Sequence, residues 1–139
     1  MSERDITTLT PNRQLVDAVW NNKGDEVDRL LSQGASPNGW PVLVIACLRR
    51  YNSVCKLLVK RGADMNKSTP RGSTALMRVA RNGDDEMVDF LLSSNADAGQ
   101  KDVGGRTAFD LAMGNGHMST AGCFVLATKK VEDVTVECL

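Results

Sequence analysis

The stretch Gly72-Ser73-Thr74-Ala75-Leu76-Met77-Arg78-Val79-Ala80 decides the fold, because a second copy of it follows further along the chain. That copy reads Gly105-Arg106-Thr107-Ala108-Phe109-Asp110-Leu111-Ala112. Each copy is typical of a short helix, and the first one leads through Gly83 into a longer apolar helical pattern. Repetition of such a unit along a chain indicates an array of stacked helical repeats.

The longer helical patterns also repeat, and three of them end alike. Their apolar residues recur at i, i+3 and i+4, which indicates a helix with one buried face. The three endings are Gly34-Ala35-Ser36-Pro37-Asn38, Gly62-Ala63-Asp64-Met65-Asn66 and Asn95-Ala96-Asp97-Ala98-Gly99. The first two lie 28 residues apart (38 to 66) and the last two 33 residues apart (66 to 99). We expect Gly34, Gly62 and Asn95 to take the left-handed conformation that ends a helix.

These motifs resemble the ankyrin-repeat family, whose signature is Gly-x-Thr-Pro-Leu-His-x-Ala-Ala, a turn glycine, and a Val-x-x-Leu-Leu helix closed by Gly-Ala-Asp-x-Asn. The resemblance implies an all-α fold, a solenoid of four helix-turn-helix repeats with short β-hairpin fingers. The repeats would cover residues 11–38, 39–66, 67–99 and 100–128, between an N-terminal extension (1–10) and a C-terminal tail (129–139).

The sequence departs from the family pattern in two respects. Asn38 runs directly into Gly39, so the second repeat lacks its five-residue finger, and only residues 67–71 and 100–104 keep fingers. The consensus histidine, which braces neighbouring repeats in the family, is replaced in every repeat, by Val16, Val44, Met77 and Asp110. We therefore expect modest stability.

The two ends of a solenoid must be shielded from water. Asp17, Glu26 and Arg29 in the first repeat replace residues that are apolar in the second, which predicts a polar N-terminal cap. The fourth repeat shows no equally clear cap, because Met113, Met118, Cys123 and Leu126 stay apolar there. Either the tail, with Val131, Val134, Val136 and Leu139, folds over them or another surface covers them.

Composition and motifs give no sign of catalysis. The chain has 139 residues, of which 42% are hydrophobic and 24% charged, as in an ordinary soluble protein. Cys47, Cys55 and Cys123 fall at apolar helical positions, so we interpret them, with Cys138, as free thiols. His117 has no clustered partner for a zinc site, and no nucleotide-binding or hydrolase motif is present. We predict no enzyme, no metal and no cofactor.

The same sequence predicts where the protein resides. No apolar run approaches the ~20 residues of a membrane-spanning helix. The stretch Met1-Ser2-Glu3-Arg4-Asp5 lacks the apolar core of a signal peptide. We expect a cytoplasmic protein, with the nucleus as the alternative, that is monomeric when no partner is bound.

The charge is zero overall, because 17 basic residues balance 17 acidic ones, but it is unevenly placed. Residues 49–81 form a basic band in which Asp64 is the only acid among nine Lys and Arg. Several of these charges stand at helix ends, where they suit the helix dipole. We expect Lys56 and Lys60 on the outer helix row, as solvated charges.

Ankyrin arrays as a family bind other proteins through a concave face made of finger tips and the exposed side of the first helices. Carried over by position, the resemblance places both tryptophans and several arginines on this face: Trp20, Asn21, Trp40, Leu48, Arg49, Arg71, Ser73, Arg81, Asn82 and Arg106. Trp and Arg are the residues most enriched at interaction hot spots. We predict that the face binds a protein segment that carries carboxylates and one apolar anchor.

Three residues on or near this face could pack within the protein instead of contacting a partner. Trp40 could fill the space of the missing finger, and Trp20 could cover the edge of the first repeat. Arg78 stands where neighbouring repeats have Ile45 and Leu111, so we expect its stem to pack while its charge reaches water.

The predicted function is a non-enzymatic protein-interaction module that acts as an adaptor, scaffold or inhibitor. One alternative is a cyclin-dependent kinase inhibitor of the ankyrin class, which the chain also resembles in having four repeats and the stretch Ala80-Arg81-x-Gly83. The other is binding of a polyanion, a phosphoinositide or a nucleic acid, through residues 49–81. We do not favour nucleic acid, because the acidic ends of the chain would repel it.

Overall fold

The computed structural model describes residues 11–38 and 41–127, and this part of the chain consists of helices joined by short loops, without a β-strand. The successive pairs are α1 (Pro11–Trp20) and α2 (Gly24–Ser32), α3 (Val42–Leu48) and α4 (Asn52–Lys60), α5 (Ala75–Asn82) and α6 (Asp85–Ser93), and α7 (Ala108–Gly114) and α8 (118–127). The predicted all-α array of helix-turn-helix repeats is confirmed. None of the helices described is long and apolar enough to cross a membrane.

Local sequence explains where these helices begin. The side chains of Thr74 and Asp84 each accept a hydrogen bond, 3.2 Å long, from the backbone N–H three residues further on. Thr107 caps α7 in the same way, and the Asp110 carboxylate accepts the Thr107 N–H in return, which completes a capping box. Asp110, at the position of the consensus histidine, therefore stabilises the start of its own helix.

The residues predicted to end the second helices do so. Gly34, Gly62 and Asn95 have φ angles of 97°, 90° and 75°, in the left-handed region. Glycine takes this conformation without a Cβ clash, and asparagine tolerates it better than most residues. The turn residues thus set the repeat length, as their spacing in the sequence predicts.

The repeats stack so that α1, α3, α5 and α7 form one row, while α2 packs against α4 in a second row. A continuous apolar core lies between the helices and extends through all four repeats. Val44 and Met77, two of the residues that replace the consensus histidine, are buried in it. The core therefore replaces a polar brace with apolar packing at these two positions.

Asparagines at the repeat endings join each repeat to the next. Asn38 Oδ1 accepts the backbone N–H of Asp64 at 2.6 Å, and Asn66 Oδ1 accepts that of Asp97 at 2.8 Å. Each bond gives a backbone N–H of the turn an acceptor in the neighbouring repeat. The recurring asparagine is thus a structural link between repeats.

The two predicted fingers are tight loops rather than regular strands. The backbone hydrogen bonds that close them run from Thr69 N to Ser73 O and from Asp102 N to Arg106 O, each 3.0 Å long. The loops lie side by side, since Val103 N donates to Arg71 O at 3.1 Å. Gly39 and Trp40, at the junction without a finger, lie outside the described residues.

The two ends of the array differ in polarity. Asp17, Glu26 and Arg29 line an open depression of about 560 Å³ at the N-terminal end, and Arg29 Nε donates to Glu26 at 3.1 Å. At the other end, large apolar side chains are 42–62% exposed among the described residues, namely Met113, Met118, Val125 and Leu126. The extension (1–10) and the tail (129–139) lie outside the described residues.

Candidate functional site

A stack of three side chains lies where the first two repeats meet. Arg49 follows the last turn of α3, and its guanidinium carbon lies 4.5 Å from the centroid of the Trp20 ring, at the end of α1. The same guanidinium lies 5.5 Å from the Tyr51 ring centroid, and Arg49 Nε donates to the Tyr51 hydroxyl at 3.0 Å. Stacking of this kind contributes about 0.5–1 kcal/mol at an exposed site. We call Trp20, Arg49 and Tyr51 the aromatic platform.

The aromatic platform is open to solvent. Trp20 is 47% exposed, and Leu48, the residue before Arg49, is 46% exposed. Trp20 and Arg49, two of the residues predicted to form one apolar and cationic patch, are thus in contact. Trp40, predicted beside them, lies outside the described residues. Tyr51 was not predicted from the sequence as part of this site. The one sequence feature that points to it is its position two residues after Arg49.

Asn21 and Asn82 are occupied by backbone partners. Asn21 Nδ2 donates to the Asp17 carbonyl oxygen at 2.8 Å, within its own helix end. Asn82 is half-buried, and its Nδ2 donates to the Cys47 carbonyl oxygen at 3.3 Å, so it joins the third repeat to the second. The Asn21 amide thus stabilises the end of its own helix and the Asn82 amide links two repeats, while their part in partner binding stays a prediction.

Arg78 and Arg81 lie one turn apart on α5. Arg81 is exposed, whereas Arg78 is half-buried, and its Nε is buried without a hydrogen-bond partner. Burial first, and then the positive charge of Arg81, lower the pKa of the Arg78 guanidinium. The expectation that the stem of Arg78 packs agrees with this burial. Its unpaired donor was not foreseen.

The fingers bring together the remaining predicted residues. Arg71 and Val103 are joined through the backbone, and the Val103 side chain, 77% exposed, projects at the tip. Arg106 forms an ion pair with Asp102, at 3.1 Å. Hydrogen bonds, first of all from the Arg106 backbone N–H, hold the pKa of the Asp102 carboxyl below its ordinary value. Ser73 is half-buried and closes its finger through its backbone.

Ion pairs neutralise some of the basic residues and leave others without a carboxylate partner among the described residues. Lys56 pairs with Glu86 at 2.9 Å on the second helices, and Arg61 pairs with Asp28. Lys56 thus forms an ion pair, whereas we expected its charge to be solvated by water alone. Arg71, Arg78 and Arg81 have no carboxylate within ion-pair distance in the part of the chain that the structure describes. Among the described residues these three guanidinium groups therefore lack an ion pair, as do those of Arg49 and Arg50.

Cys47 and Cys123 are poorly suited to nucleophilic chemistry, and Cys138 lies outside the described residues. Cys47 and Cys55 are buried free thiols, with their Sγ atoms 3.3 Å apart. The hydrogen bond to Cys55 and burial raise the pKa of Cys47 well above its ordinary value, and burial first of all raises that of Cys123 to about 11. The thiolate is the reactive form, so such thiols react slowly. Within residues 11–38 and 41–127 no group of three or more His, Cys, Asp and Glu is placed to hold a metal ion.

Comparison with known proteins points to the family that the repeats resemble. A family model described as ankyrin repeats (three copies) matches residues 15–102 and 43–135. The chain is 35% identical, over 73% of its length, to the ankyrin repeat and SAM domain-containing protein 6 of Mus musculus. It is 38% identical, over 54%, to the E3 ubiquitin-protein ligase XBAT33 of Arabidopsis thaliana, and 44% identical, over 37%, to the mitochondrial disaggregase of Homo sapiens. The chain spans only 11%, 15% and 8% of the lengths of these relatives.

Proposed function

Because the chain belongs to the ankyrin-repeat family, whose repeats generally mediate protein–protein interaction, we propose that it is a non-enzymatic module that binds an acidic protein segment. The segment lies across the row of first helices and the fingers. In this role the protein acts as an adaptor, scaffold or inhibitor. The ankyrin fold is typically non-enzymatic, and relatives such as the E3 ligase combine it with other domains. We further propose that the protein acts in the cytoplasm or the nucleus.

The aromatic platform is the observation that carries this proposal. Its stacked rings and guanidinium are held in place before binding, so a partner loses little free energy in ordering them. Trp20 and Leu48, each nearly half exposed, offer an apolar contact beside the Arg49 charge. A partner segment with one apolar anchor next to a carboxylate complements this arrangement.

The unneutralised arginines support an acidic partner. Arg71, Arg78 and Arg81 carry charges that no carboxylate offsets in the described residues. Charge complementarity of this kind speeds association and selects among partners. Polyanion binding is the second candidate, because the same positive charges would attract it. It is the weaker one, because Lys56 and Arg61 of the basic band are already paired with Glu86 and Asp28.

A peptide-display selection tests the proposal without a known partner. A random 12-residue library is selected against the immobilised full chain, and the affinity of the enriched peptides is measured by fluorescence anisotropy. We expect enriched peptides with Asp or Glu beside an aromatic or aliphatic residue. The triple variant Arg49→Ala, Arg71→Ala, Arg81→Ala should abolish their binding, while its melting temperature falls by only a few degrees.

A matched control removes one exposed positive charge that lies outside the proposed binding face. Lys60→Ala lies at the end of α4, on the second-helix row, and should leave the affinity for the enriched peptides unchanged. Arg49→Ala and Arg81→Ala alone should each weaken binding about tenfold, as expected for a desolvated charge contact. Peptides that bind the triple variant as tightly as the original chain would show that this face is not the binding surface.

A further inference from the structure

The first helix of the fourth repeat exposes a position that the earlier repeats keep buried. Met113 on α7 corresponds to Val19, Cys47 and Ala80 in the three preceding repeats. Those three residues are at most 1% exposed, and the helix that carries each of them packs against the first helix of the next repeat. Met113, by contrast, is 42% exposed. The side of the fourth repeat that would meet a following repeat is therefore open among the described residues.

Two residues of α8 make this end more apolar than the surface between two repeats. Met118 stands where the second and third repeats have Asn52 and Asp85, whose side chains form hydrogen bonds with the next repeat. Met118 cannot form such a bond, and it is 62% exposed. Leu126, also 62% exposed, stands where the earlier repeats have exposed polar residues, namely Gln33, Lys60 and Ser93. This end is thus suited to an apolar cover rather than to a further repeat of the same kind.

The apolar residues of α8 share one side of the helix. Met118, Val125 and Leu126 lie at i, i+7 and i+8, which is the spacing of an apolar stripe. Gly122, at i+4, has nothing within 4 Å of the point that an alanine Cβ would occupy, so open space lies along the stripe. We call Met113 and the three residues of this stripe the end face.

We propose that the C-terminal tail (129–139) packs along the end face and shields the fourth repeat from water. The tail follows α8 directly, and charged or polar residues separate its four apolar ones: Val131, Val134, Val136 and Leu139. The family match continues to residue 135, so most of the tail aligns with the repeats. The aromatic platform lies in the first two repeats, and the tail therefore leaves the proposed binding face free.

The length and attachment of the tail favour it over a second copy of the chain. The path from residue 127 back to Met118 is about 14 Å, at about 1.5 Å per helical residue. An extended chain advances about 3.3 Å per residue, so roughly five residues cover this path and the tail is long enough. A segment joined to α8 is present there at roughly millimolar effective concentration, with which a second copy would have to compete.

Oxidation of the methionines by hydrogen peroxide, followed by peptide mass spectrometry, tests the proposal in the full chain. The reference is N-acetyl-methionine methylamide, whose thioether is fully open to the oxidant. We expect Met113 and Met118 to oxidise about tenfold more slowly than this reference, because the tail covers them. Oxidation of Met118 at the rate of the reference would overturn the proposal.

The double variant Val134→Asp, Val136→Asp should uncover the end face. Met118 should then oxidise about tenfold faster than in the unaltered chain. Met77 and Met87, which are at most 1% exposed, should stay slow because the repeats remain folded. Val103→Asp is the matched control, since it places the same charge on a valine that is 77% exposed in the second finger and should leave Met118 slow. Slow oxidation of Met118 in the double variant would contradict the proposal.

Methyl nuclear Overhauser effects identify the cover in the unaltered chain, whatever the stability of the variants. We expect them between the Met118 methyl group and the methyl groups of Val131, Val134 or Val136, and their absence would show that the tail lies elsewhere. The chain should be monomeric by light scattering, and the oxidation rate of Met118 should be constant over about a hundredfold range of chain concentration, because the cover is intramolecular. A dimer whose dissociation on dilution accelerates this oxidation would assign the end face to a second copy instead.

Discussion

The imidazole ring of His117 lies against Gly83, so closely that a Cβ atom on Gly83 would come within 2.7 Å of His117 Nδ1. Nε2 of the same ring is 3.0 Å from the Arg81 carbonyl oxygen, so the ring spans the end of α5. His117 precedes α8 and Gly83 ends α5, and the contact therefore joins the third repeat to the fourth. A histidine without metal partners in the sequence is thus a packing residue between repeats.

Gly83→Ala should therefore destabilise the protein for two separable reasons. Gly83 has a φ of 74°, so an alanine there costs roughly 1–2 kcal/mol in backbone strain. The clash with the His117 ring adds to this, since the ring is held by its contact with the Arg81 carbonyl. We expect a total loss of about 3 kcal/mol, consistent with a strained and overpacked site. Urea denaturation followed by circular dichroism measures it.

Gly62→Ala is the matched control for Gly83→Ala. Gly62 also has a positive φ, 90°, but nothing lies within 4 Å of the point that an alanine Cβ would occupy there, so only the strain should appear. In a His117→Ala background the two alanine substitutions should then cost the same. A difference that persists without the His117 ring would show that the clash is not the cause.

Arg50→Gly should stabilise the protein. Arg50 has a φ of 62°, in the left-handed region, at the helix–helix turn where the third repeat has Gly83. Relief of this strain, roughly 1–2 kcal/mol, exceeds the entropy that glycine loses on folding, so we expect a net gain of about 0.5–1 kcal/mol. The melting temperature should rise by about 2–4 °C, as measured by differential scanning calorimetry. Arg50→Ala keeps the strained backbone, so a similar rise in that variant would contradict the explanation.

Local sequence patterns predict the helices, their ends and their repetition. They do not predict which side chains of neighbouring repeats contact each other. The positive φ angles of Gly34 and Gly62 follow from residue type and spacing alone. The contact of Arg49 with the Trp20 ring and the link from Asn82 to Cys47 depend on the side-chain rotamers that neighbouring repeats leave free. Repeat register thus places a residue on a face, but packing decides which partner it meets.

Asp85 should make the protein sensitive to acid. The hydroxyls of Ser119 and then Thr120 donate to its carboxylate and hold the pKa of Asp85 below its ordinary value. A group with a lowered folded pKa stabilises the fold above the unfolded pKa, near 3.9, and this contribution is lost as the pH falls through the folded value. We expect Ser119→Ala to raise the pKa of Asp85, measured by carboxyl ¹³C chemical shift, and to reduce this acid sensitivity.

The control for Ser119→Ala is Ser68→Ala. Ser68 is exposed in the first finger and is not among the residues that shift the pKa of Asp85, so its loss should leave the Asp85 titration unchanged. Stability at pH 7 should fall in Ser119→Ala by about 1 kcal/mol, the usual net value of a hydrogen bond to a side chain. An Asp85 titration that is identical in both variants would show that the Ser119 hydroxyl does not set its pKa.

Arg49→Lys tests whether the aromatic platform acts through its geometry or only through its charge. Lysine keeps the positive charge but cannot stack a planar group between Trp20 and Tyr51, nor donate from Nε to the Tyr51 hydroxyl. If the stack orders the surface before binding, affinity for the selected acidic peptides should fall about fivefold, mainly through faster dissociation. Surface plasmon resonance measures the rates, and Trp20 fluorescence in a Trp40→Phe background should shift to longer wavelength as the ring loses its cover. A shifted Trp20 spectrum would show that the stack is lost in Arg49→Lys. If the dissociation rate of the peptides were unchanged in the same variant, only the charge of Arg49 would matter for binding.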